Sequence, residues 1–234
     1  MAAGFRVYQK INRADKTIVE GFREISVSNI VDTMQKITGA HSGIKPFNNV
    51  KLLGTAFTVK TPMGDNLMFH QALSMAEPGD VIVVDGNGCT ERAICGENMM
   101  LIAKKRGVRG FLIDGSIRDI QAAANLDNFA VFARGVQAIA SYKGLGPGEI
   151  GLPVSVGGMV VCPGDVVVGD GDGVVAIRPR DAGEILRLSK ALADKEQDTV
   201  RQIEDGTIDR GWVMKALREK GCEFIDAAWE EKGE

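Results

Sequence analysis

The chain has few histidines and cysteines, the residues on which several common catalytic sites depend. Its 234 residues include two histidines, His41 and His70, and four cysteines. Two histidines nearly exclude a zinc site built from two or three of them, and no GxSxG elbow is present for serine catalysis. Cys89 and Cys95 are too far apart for a CxxC pair, so reduced thiols are predicted. His70 lies in an apolar helical pattern, which favours a core or subunit-contact role over catalysis.

The sequence also lacks a strong charge bias, a long apolar run and an amino-terminal signal. A net charge of -3 and a pI near 5.6 give no electrostatic reason to expect a nucleic acid partner. No apolar run reaches the roughly 18 residues of a membrane span, and the first residues contain no signal-peptide core. We therefore expect a cytoplasmic protein with one large domain, or a domain and an appendage, and no membrane or nucleic acid partner.

Two segments of the chain are nearly the same. Residues 78–88 read PGDVIVVDGNG, and residues 163–173 read PGDVVVGDGDG. Each is a Pro-Gly-Asp turn, a short valine-rich strand and an Asp-Gly turn, which predicts two similar β units packed together. No phosphate-binding glycine loop follows either segment, and we interpret the second one as a structural corner. Upstream of both, residues 24–38 are predicted to form a helix that begins at Ser26 or Ser28 and ends at Gly39.

Strand and helix patterns alternate after the first repeat. The strand patterns DVIVVDG, GFLIDG and FAVFARG are separated by helices, the first of which is predicted from Glu97 to Arg106. This alternation predicts an α/β domain with parallel strands and right-handed crossovers. Such sheets bind ligands beyond the carboxyl ends of adjacent strands, which here are expected at residues 83–88 and 112–119.

Two features are expected to meet at that edge of the sheet. The helix start, from Gly96 to Met99, offers backbone N–H groups and the positive end of the helix dipole to an anion. Arg118 can bind a carboxylate with two hydrogen bonds, and Asp119 can hold a hard cation. Each has an alternative role, because Asp119 could cap the following helix, Arg118 could be a surface residue and Glu97 could be a first-turn residue.

The order and spacing of several motifs resemble one known family. The motifs are PGDVIVVDG, the Gly96-Glu97 pair, RGVRGFLIDGSIRD, VFARG, GGMVVCPGD and GDGDGVVAI, and GTAFTVKTPMGDNLMFHQAL precedes them. They are similar to the class II pyruvate aldolases, which cleave 4-hydroxy-4-methyl-2-oxoglutarate and 4-carboxy-4-hydroxy-2-oxoadipate. The same RraA-like superfamily includes the RraA-type regulators of RNase E. The resemblance covers about residues 25–206.

This resemblance implies a fold and an assembly. The fold is a swivelling β/β/α domain of the RraA-like α/β class, with a C-terminal helical extension. The catalytic domain is implied to cover residues 1–180, and residues 181–234 are implied to contribute to a subunit interface in a homotrimer or a dimer of trimers. The sequence of this extension predicts one long charged helix, then a short helix from Gly211 to Lys220 and a tail.

The resemblance also implies roles for individual residues. The family pattern is an acidic residue, twenty further residues and an Arg-Asp pair, which here are Glu97, Arg118 and Asp119. Asp119 is implied to bind Mg²⁺ or Mn²⁺. Glu196, on the long helix of a neighbouring subunit, is implied to complete the site, with Glu204 as the next candidate. The 2-oxo acid substrate is implied to be bound by Gly96, Glu97, Asn98, Met99 and Arg118.

The implied reaction is cleavage of a 4-hydroxy-2-oxo acid, with release of pyruvate through a metal-stabilised enolate. Oxaloacetate decarboxylation is expected beside it, because loss of CO₂ leaves the same enolate. A Schiff-base route would need a desolvated lysine. We reject it, because the candidates Lys104 and Lys105 lie beside Arg106 on a face that is predicted to be solvated. The alternative is a non-catalytic RraA-type protein that binds and regulates an RNA-degrading enzyme.

Overall fold

A mixed β-sheet runs through the centre of the protein and helices cover it. The computed structural model describes residues 3–142 and 146–229. The strands are β1 (Phe5–Val7), β2 (Lys45–Pro46), β3 (Leu52–Lys60), β4 (Asp80–Cys95), β5 (Gly110–Ile117), β6 (Ala130–Val136), β7 (Gly148–Ile150), β8 (Val154–Val156), β9 (Met159–Val161), β10 (Val166–Asp170) and β11 (Gly173–Ile177). The helices are α1 (Lys16–Gly21), α2 (Val27–Thr33), α3 (Leu67–Met75), α4 (Glu97–Lys105), α5 (Ile120–Ala124), α6 (Pro179–Glu204) and α7 (Gly211–Glu219).

Strands β3, β4, β5 and β6 form the parallel centre of the sheet, in that order. Helices α3, α4 and α5 connect them in turn, so the predicted alternation and the α/β class with C-terminal helices are confirmed. The inner strands are largely buried on both faces, which explains their nearly continuous apolar sequences. On the helical side, Phe111 packs edge to face with Phe69 and Phe129, at centroid distances of 5.0 and 4.9 Å.

Strand β4 is longer than the sequence predicts. We expected it to end within residues 83–88, but it continues to Cys95. The ladder is interrupted where Asn87 and Gly88 adopt left-handed φ angles of 55° and 68°. The chain bulges there and then resumes pairing, with Cys95 opposite Ile117 of β5. The glycine-rich sequence was therefore a bulge inside a strand and not the loop that ends it.

The helix expected over residues 24–38 is shorter than predicted. Ser26 is its N-cap, and its hydroxyl accepts a backbone N–H of the first turn at 3.3 Å. The helix ends at Thr33, because Gln35 and Lys36 both adopt a left-handed φ of 60°. Two successive residues in that conformation cannot continue a right-handed helix.

The two repeated segments flank the same strand and use the same hydrogen bonds. Thr55 of β3 pairs with Asp80 on one side and with Val166, the residue after Asp165, on the other side. Each of these two buried carboxylates accepts the N–H of the residue three positions earlier, at 2.8 Å. Asp80 also accepts hydrogen bonds of 2.9 and 2.8 Å from Arg13, and Asp165 pairs with Arg178. These hydrogen bonds raise the pKa of both guanidinium groups.

The second aspartate of each repeat is also matched. One carboxylate oxygen of Asp85, and one of Asp170, accepts the N–H of the residue two positions later, at 3.0 Å in both cases. The other oxygen holds a distant segment: Asp85 accepts the N–H of Ser155 at 3.3 Å, and Asp170 accepts the N–H of Val27 at 2.8 Å. All four aspartates therefore tie chain segments to the sheet, which supports a structural role for both copies.

The chain divides into two compact units, Met1–Ala193 and Asp194–Glu234. The first contains the sheet, and the second contains the end of α6 and the short helix α7, which the sequence predicted. Within the described part of the second unit, α7 has no buried residue. The division at residues 180 and 181 stays a prediction, and residues 230–234 of the predicted tail lie outside the described residues. In the described ranges no helix combines the length and the apolar character of a membrane span.

Candidate active site

The first wall of the candidate site is the amino end of α4. Gly96 follows β4 as the N-cap, and its carbonyl oxygen accepts the N–H groups of Met99 and Met100 at 3.1 and 3.3 Å. Both methionine side chains are buried, so packing against the core fixes the position of this helix end. Among the residues that the structure describes, the N–H of Asn98 has no acceptor. The helix end therefore offers a donor to an anion.

The second wall is the Arg118-Asp119 pair, directly after β5. The N–H of Arg118 donates to the carbonyl oxygen of Cys95 at 3.0 Å, which holds the end of β5 beside the end of β4. Asp119 has a left-handed backbone, with φ 58° and ψ 45°. This conformation costs a non-glycine residue on the order of 1–3 kcal/mol, and such strain is concentrated at functional sites.

The carboxylate of Asp119 joins the two walls. Asp119 occupies the N-cap position of α5, but its side chain makes no capping hydrogen bond there. Its Oδ2 accepts instead the N–H of Glu97, the first residue of α4, at 3.0 Å. The alternative in which Asp119 caps the following helix is therefore wrong. The same oxygen lies 3.6 Å from Nε of Arg118, and the two side chains are 42% and 47% exposed, so both charges are accessible to a ligand.

Gly96 has no room for a side chain. A Cβ atom at this position would lie 2.6 Å from Oδ2 of Asp119 and 3.1 Å from Nε of Arg118. Its backbone is extended, with φ -148° and ψ -175°, a conformation open to any residue. Glycine is therefore required here by the two charged side chains and not by the backbone.

These groups line one cavity of about 340 Å³. It lies at the carboxyl ends of β4 and β5, where ligands of such sheets bind, and its volume suits a small metabolite. The structure thus brings together the site residues that the sequence assigned to the catalytic domain: Gly96, Glu97, Asn98, Met99, Arg118 and Asp119. The remaining lining residues come from α3 and its N-cap, the end of β4 and a later loop: Asn66, His70, Ala93, Ile94, Cys95, Ala140 and Ser141.

His70 is a lining residue that the sequence did not assign to the site. We expected it in the core or in a subunit contact, but it is exposed at this cavity, so the core alternative is wrong. The apolar pattern of α3 correctly marked its buried face, which includes Phe69 and Leu73. His70 lies one turn after Asn66, on the same side of the helix start. The signal available in the sequence was a polar residue four positions after Asn66 of the Asp65-Asn66 pair that begins this helix.

Cys95 also lines the cavity, but its chemistry is that of an inert thiol. Burial raises the pKa of the Cys95 thiol, and the negative charge of Asp119 raises it further. A thiol in this state is a poor nucleophile at neutral pH. This site is therefore not suited to covalent catalysis by Cys95.

Asp119 is the carboxylate best suited to hold a divalent cation. Within residues 3–142 and 146–229 no group of three or more His, Cys, Asp or Glu side chains is arranged to bind a metal ion. Mg²⁺ does not need such a group, since it commonly keeps several waters and takes one or two carboxylates with substrate oxygens. The accessible carboxylate of Asp119, with Glu97 exposed at the same cavity, fits that donor set.

The other candidate residues are not among those that line this cavity. Glu196 and Glu204 are exposed on α6 in the second unit, and the role of Glu196 across a subunit boundary stays a prediction. Lys104 pairs with Asp127, and neither it nor Lys105 lines the cavity. The rejection of a Schiff-base route agrees with these positions.

A larger cavity, of about 540 Å³, lies at the opposite, amino ends of the parallel strands. Its lining is mostly apolar, and three of its basic side chains already have carboxylate partners. These ion pairs are Arg13 with Asp80, Arg109 with Glu20, and Lys104 with Asp127. Size alone therefore does not identify the site. The smaller cavity is the one that lies at the carboxyl ends of β4 and β5, where ligands of such sheets bind.

Three comparisons bear on this chain. A family model described as RraA-like, Aldolase/RraA, matches residues 27–176. A protein of Halalkalibacterium halodurans, provisionally named 4-hydroxy-4-methyl-2-oxoglutarate aldolase, is 39% identical over 211 residues, which are 90% of this chain and 98% of that one. Among solved structures, an uncharacterized protein from Pseudomonas syringae has a TM-score of 0.72 at 24% identity, covering 84% of this chain and 96% of that one. The RNA-processing inhibitor RraA from Thermus thermophilis has a TM-score of 0.60 at 25% identity, covering 66% and 93%.

Proposed function

The chain belongs to the RraA-like family of aldolases and RraA proteins, and from its cavity we propose that it is a divalent-metal-dependent aldolase that releases pyruvate. The substrate is a 4-hydroxy-2-oxo acid of the 4-hydroxy-4-methyl-2-oxoglutarate or 4-carboxy-4-hydroxy-2-oxoadipate type. The observation that carries this proposal is the Asp119 carboxylate, which accepts the N–H of Glu97 beside the accessible guanidinium of Arg118.

The residues of this cavity suit the 2-oxo carboxylate end of the substrate. The guanidinium of Arg118 can bind a carboxylate with two parallel hydrogen bonds, and the amino end of α4 favours negative charge. Asp119 would hold Mg²⁺ or Mn²⁺, and the bound cation would supply Lewis-acid polarisation of the keto group. Arg118 and the helix end keep the substrate carboxylate oriented while charge develops on the keto oxygen.

The reaction balances with one proton removed and one returned. The 4-hydroxyl loses its proton, the bond between C3 and C4 breaks, and the departing half leaves with a new carbonyl group. The electron pair passes into the C2 keto group as an enolate, which becomes pyruvate when C3 gains a proton. Glu97, which is exposed at the cavity, is the residue of this chain that we assign to orient the water that carries protons. We propose Glu196 from a neighbouring chain as its partner, in a homotrimer or a dimer of trimers.

The proposal is tested by pyruvate release from 4-hydroxy-4-methyl-2-oxoglutarate and from oxaloacetate, with Mg²⁺ and after exhaustive EDTA treatment. Both substrates should yield pyruvate, because both leave the same enolate, and chelation should abolish release without unfolding the protein. Full turnover after metal removal contradicts the metal dependence. If folded protein with Mg²⁺ releases pyruvate from neither substrate, the assignment of the chain as an aldolase is contradicted. That outcome favours a binding protein of the RraA type, for which the likeness to the inhibitor from Thermus thermophilis is the support.

A further inference from the structure

We infer that His70 is a specificity-determining residue, which contacts a carboxylate on the departing half of the substrate. The inference rests on the proposed aldolase function and deepens it. Arg118 and the α4 end are assigned to the pyruvyl half, and His70 lies on a different element that lines the same cavity.

The cavity has room for more than the pyruvyl half. Its volume of about 340 Å³ falls within the range of small-molecule sites, about 300–1,000 Å³. A three-carbon acid occupies only part of that space. The departing half therefore meets lining residues outside the Arg118 end, and their chemistry determines which departing groups are accepted.

The start of α3 is fixed against the pyruvyl end of the cavity. Asn66 is buried, and its side-chain N–H donates to the carbonyl oxygen of Ile94 at 3.2 Å and lies 3.8 Å from Sδ of Met99. The N–H of His70 donates to the carbonyl oxygen of Asn66 at 2.9 Å, one helical turn further on. His70 is therefore carried on a backbone whose position relative to α4 is set by hydrogen bonds.

The loop beside α3 is held with similar definition. The N–H of Ala93 donates to the carbonyl oxygen of Ile139 at 2.8 Å. Arg92 donates to the carbonyl oxygen of Ala140 at 3.0 Å, and its guanidinium lies 3.8 Å from the centroid of the Tyr142 ring. This arginine is engaged in holding the loop, so it is not the group that we assign to a second carboxylate.

His70 and Arg118 are the two described lining residues whose side chains can carry a positive charge, and Arg118 is assigned to the pyruvyl half. His70 is exposed and lines the cavity, and within the described ranges its ring has no hydrogen-bond partner. An imidazole donates an N–H in its neutral form and two in its cationic form, and either can bind a carboxylate. The described lining contains Arg118 as its guanidinium and His70 as its imidazole, with Glu97 and Asp119 as the acids. A second substrate carboxylate is therefore expected at His70.

The test compares His70→Phe, which keeps a ring without a donor, with His70→Gln, which keeps a donor. His41→Gln is the matched control, because His41 accepts the N–H of Gly43 at 3.0 Å and does not line the cavity. kcat/KM is measured for 4-hydroxy-4-methyl-2-oxoglutarate and for 4-hydroxy-2-oxopentanoate, which lacks the second carboxylate. His70→Phe should lower the first value about 10–100-fold, the usual effect of one hydrogen bond to a charged group, and leave the second almost unchanged.

Two further measurements separate this inference from the proposed function. His70→Gln should restore part of the loss, and deuterium exchange into the pyruvate methyl group should be unchanged in His70→Phe, because pyruvate has no departing half. An equal loss on both aldols, or a loss of exchange, overturns the inference and assigns His70 to the pyruvyl end. Unchanged selectivity in an active enzyme also overturns it. Wild-type protein with neither cleavage nor exchange overturns the proposed function, and the inference with it.

Discussion

The N–H of Glu97 donates to Oδ2 of Asp119 at 3.0 Å, so one carboxylate connects the start of α4 to the end of β5. Both residues follow strands of the parallel sheet, and the hydrogen bond brings together an acid, an arginine and a helix amino end. The hydrogen bond uses one oxygen of the Asp119 carboxylate. Asp119 reaches Glu97 from a strained, left-handed backbone, and such strain is concentrated at functional sites.

Replacing Asp119 with asparagine should abolish most of the activity while the fold is kept. Asparagine retains an oxygen that can accept the N–H of Glu97, but it removes the charge that we assign to the cation. The expected loss in kcat/KM is about 100-fold or more, the range for a removed electrostatic group. Pyruvate release measures it, and Asp127→Asn is the control, because Asp127 is an exposed partner of Lys104. Equal activity in the two variants would remove Asp119 from the site.

Gly96→Ala should disable the enzyme without unfolding it. The new Cβ would lie 2.6 Å from Oδ2 of Asp119, so the carboxylate must move. Gly183→Ala is a matched control in α6, where a Cβ meets nothing within 4 Å, and it should gain about 1 kcal/mol of stability from helix propensity. Melting temperature and kcat/KM are measured for both. Full activity in Gly96→Ala would show that the Asp119 carboxylate does not need its present position.

Arg118→Lys should be severely impaired although the positive charge is kept. Lysine is a point donor and does not reproduce the planar fork of arginine. The expected loss of transition-state stabilisation is about 2–4 kcal/mol in kcat/KM. Arg109→Lys, at the larger cavity and paired with Glu20, should retain activity. The reverse result, with Arg109 sensitive and Arg118 tolerant, would move the active site to the larger cavity.

The two repeated segments should contribute to stability and not to catalysis. Arg13→Met leaves the buried carboxylate of Asp80 without its guanidinium, and Arg178→Met does the same to Asp165. Each change should lower the free energy of unfolding by about 1–3 kcal/mol, the penalty for a buried group that loses its partner. Arg187→Met, which removes an exposed ion pair with Glu184, should cost less than about 0.5 kcal/mol.

Urea unfolding measures all three variants, and kcat/KM of the folded fraction is measured beside it. A large loss of kcat/KM at full folded population in either corner variant would contradict the structural role. Equal stability of all three variants would show that the buried carboxylates do not need their arginines.

A composite site predicts complementation between two inactive variants. Arg118→Ala and Glu196→Ala should each be nearly inactive, and co-refolded mixtures should regain about a quarter of the wild-type activity if chains mix randomly in a closed ring. Glu204→Ala serves as the comparison, since Glu204 lies on the same helix. No recovery in oligomers that contain both chains would place both residues in one chain or show that Glu196 is the wrong glutamate.

The parallel centre of the sheet and most of the site could be predicted from the sequence. The alternating strand and helix patterns set the carboxyl ends of β4 and β5 side by side, and this places Arg118 near the start of α4. The length of β4 could not be predicted, because the glycine-rich segment after Asp85 has the composition of a loop. Only the resumed pairing with β5 turns that segment into a bulged strand.

His70 and the end of α2 were missed for different physical reasons. A periodic pattern identifies the buried face of α3, but the partners of its other face depend on residues distant in sequence. For α2, Gln35 and Lys36 leave the helical conformation although neither is glycine or asparagine. The usual sequence signal for a left-handed helix end was therefore absent.

The proposed enolate chemistry is tested most directly by deuterium exchange into the methyl group of pyruvate, followed by NMR in D₂O. It requires only pyruvate binding and enolate formation, and it does not depend on the identity of the departing half. We expect rapid exchange by the wild-type protein with Mg²⁺, and near-buffer rates after EDTA treatment and in Asp119→Asn and Arg118→Lys. Exchange by the folded wild-type protein with Mg²⁺ at the rate of buffer alone would contradict the proposed function.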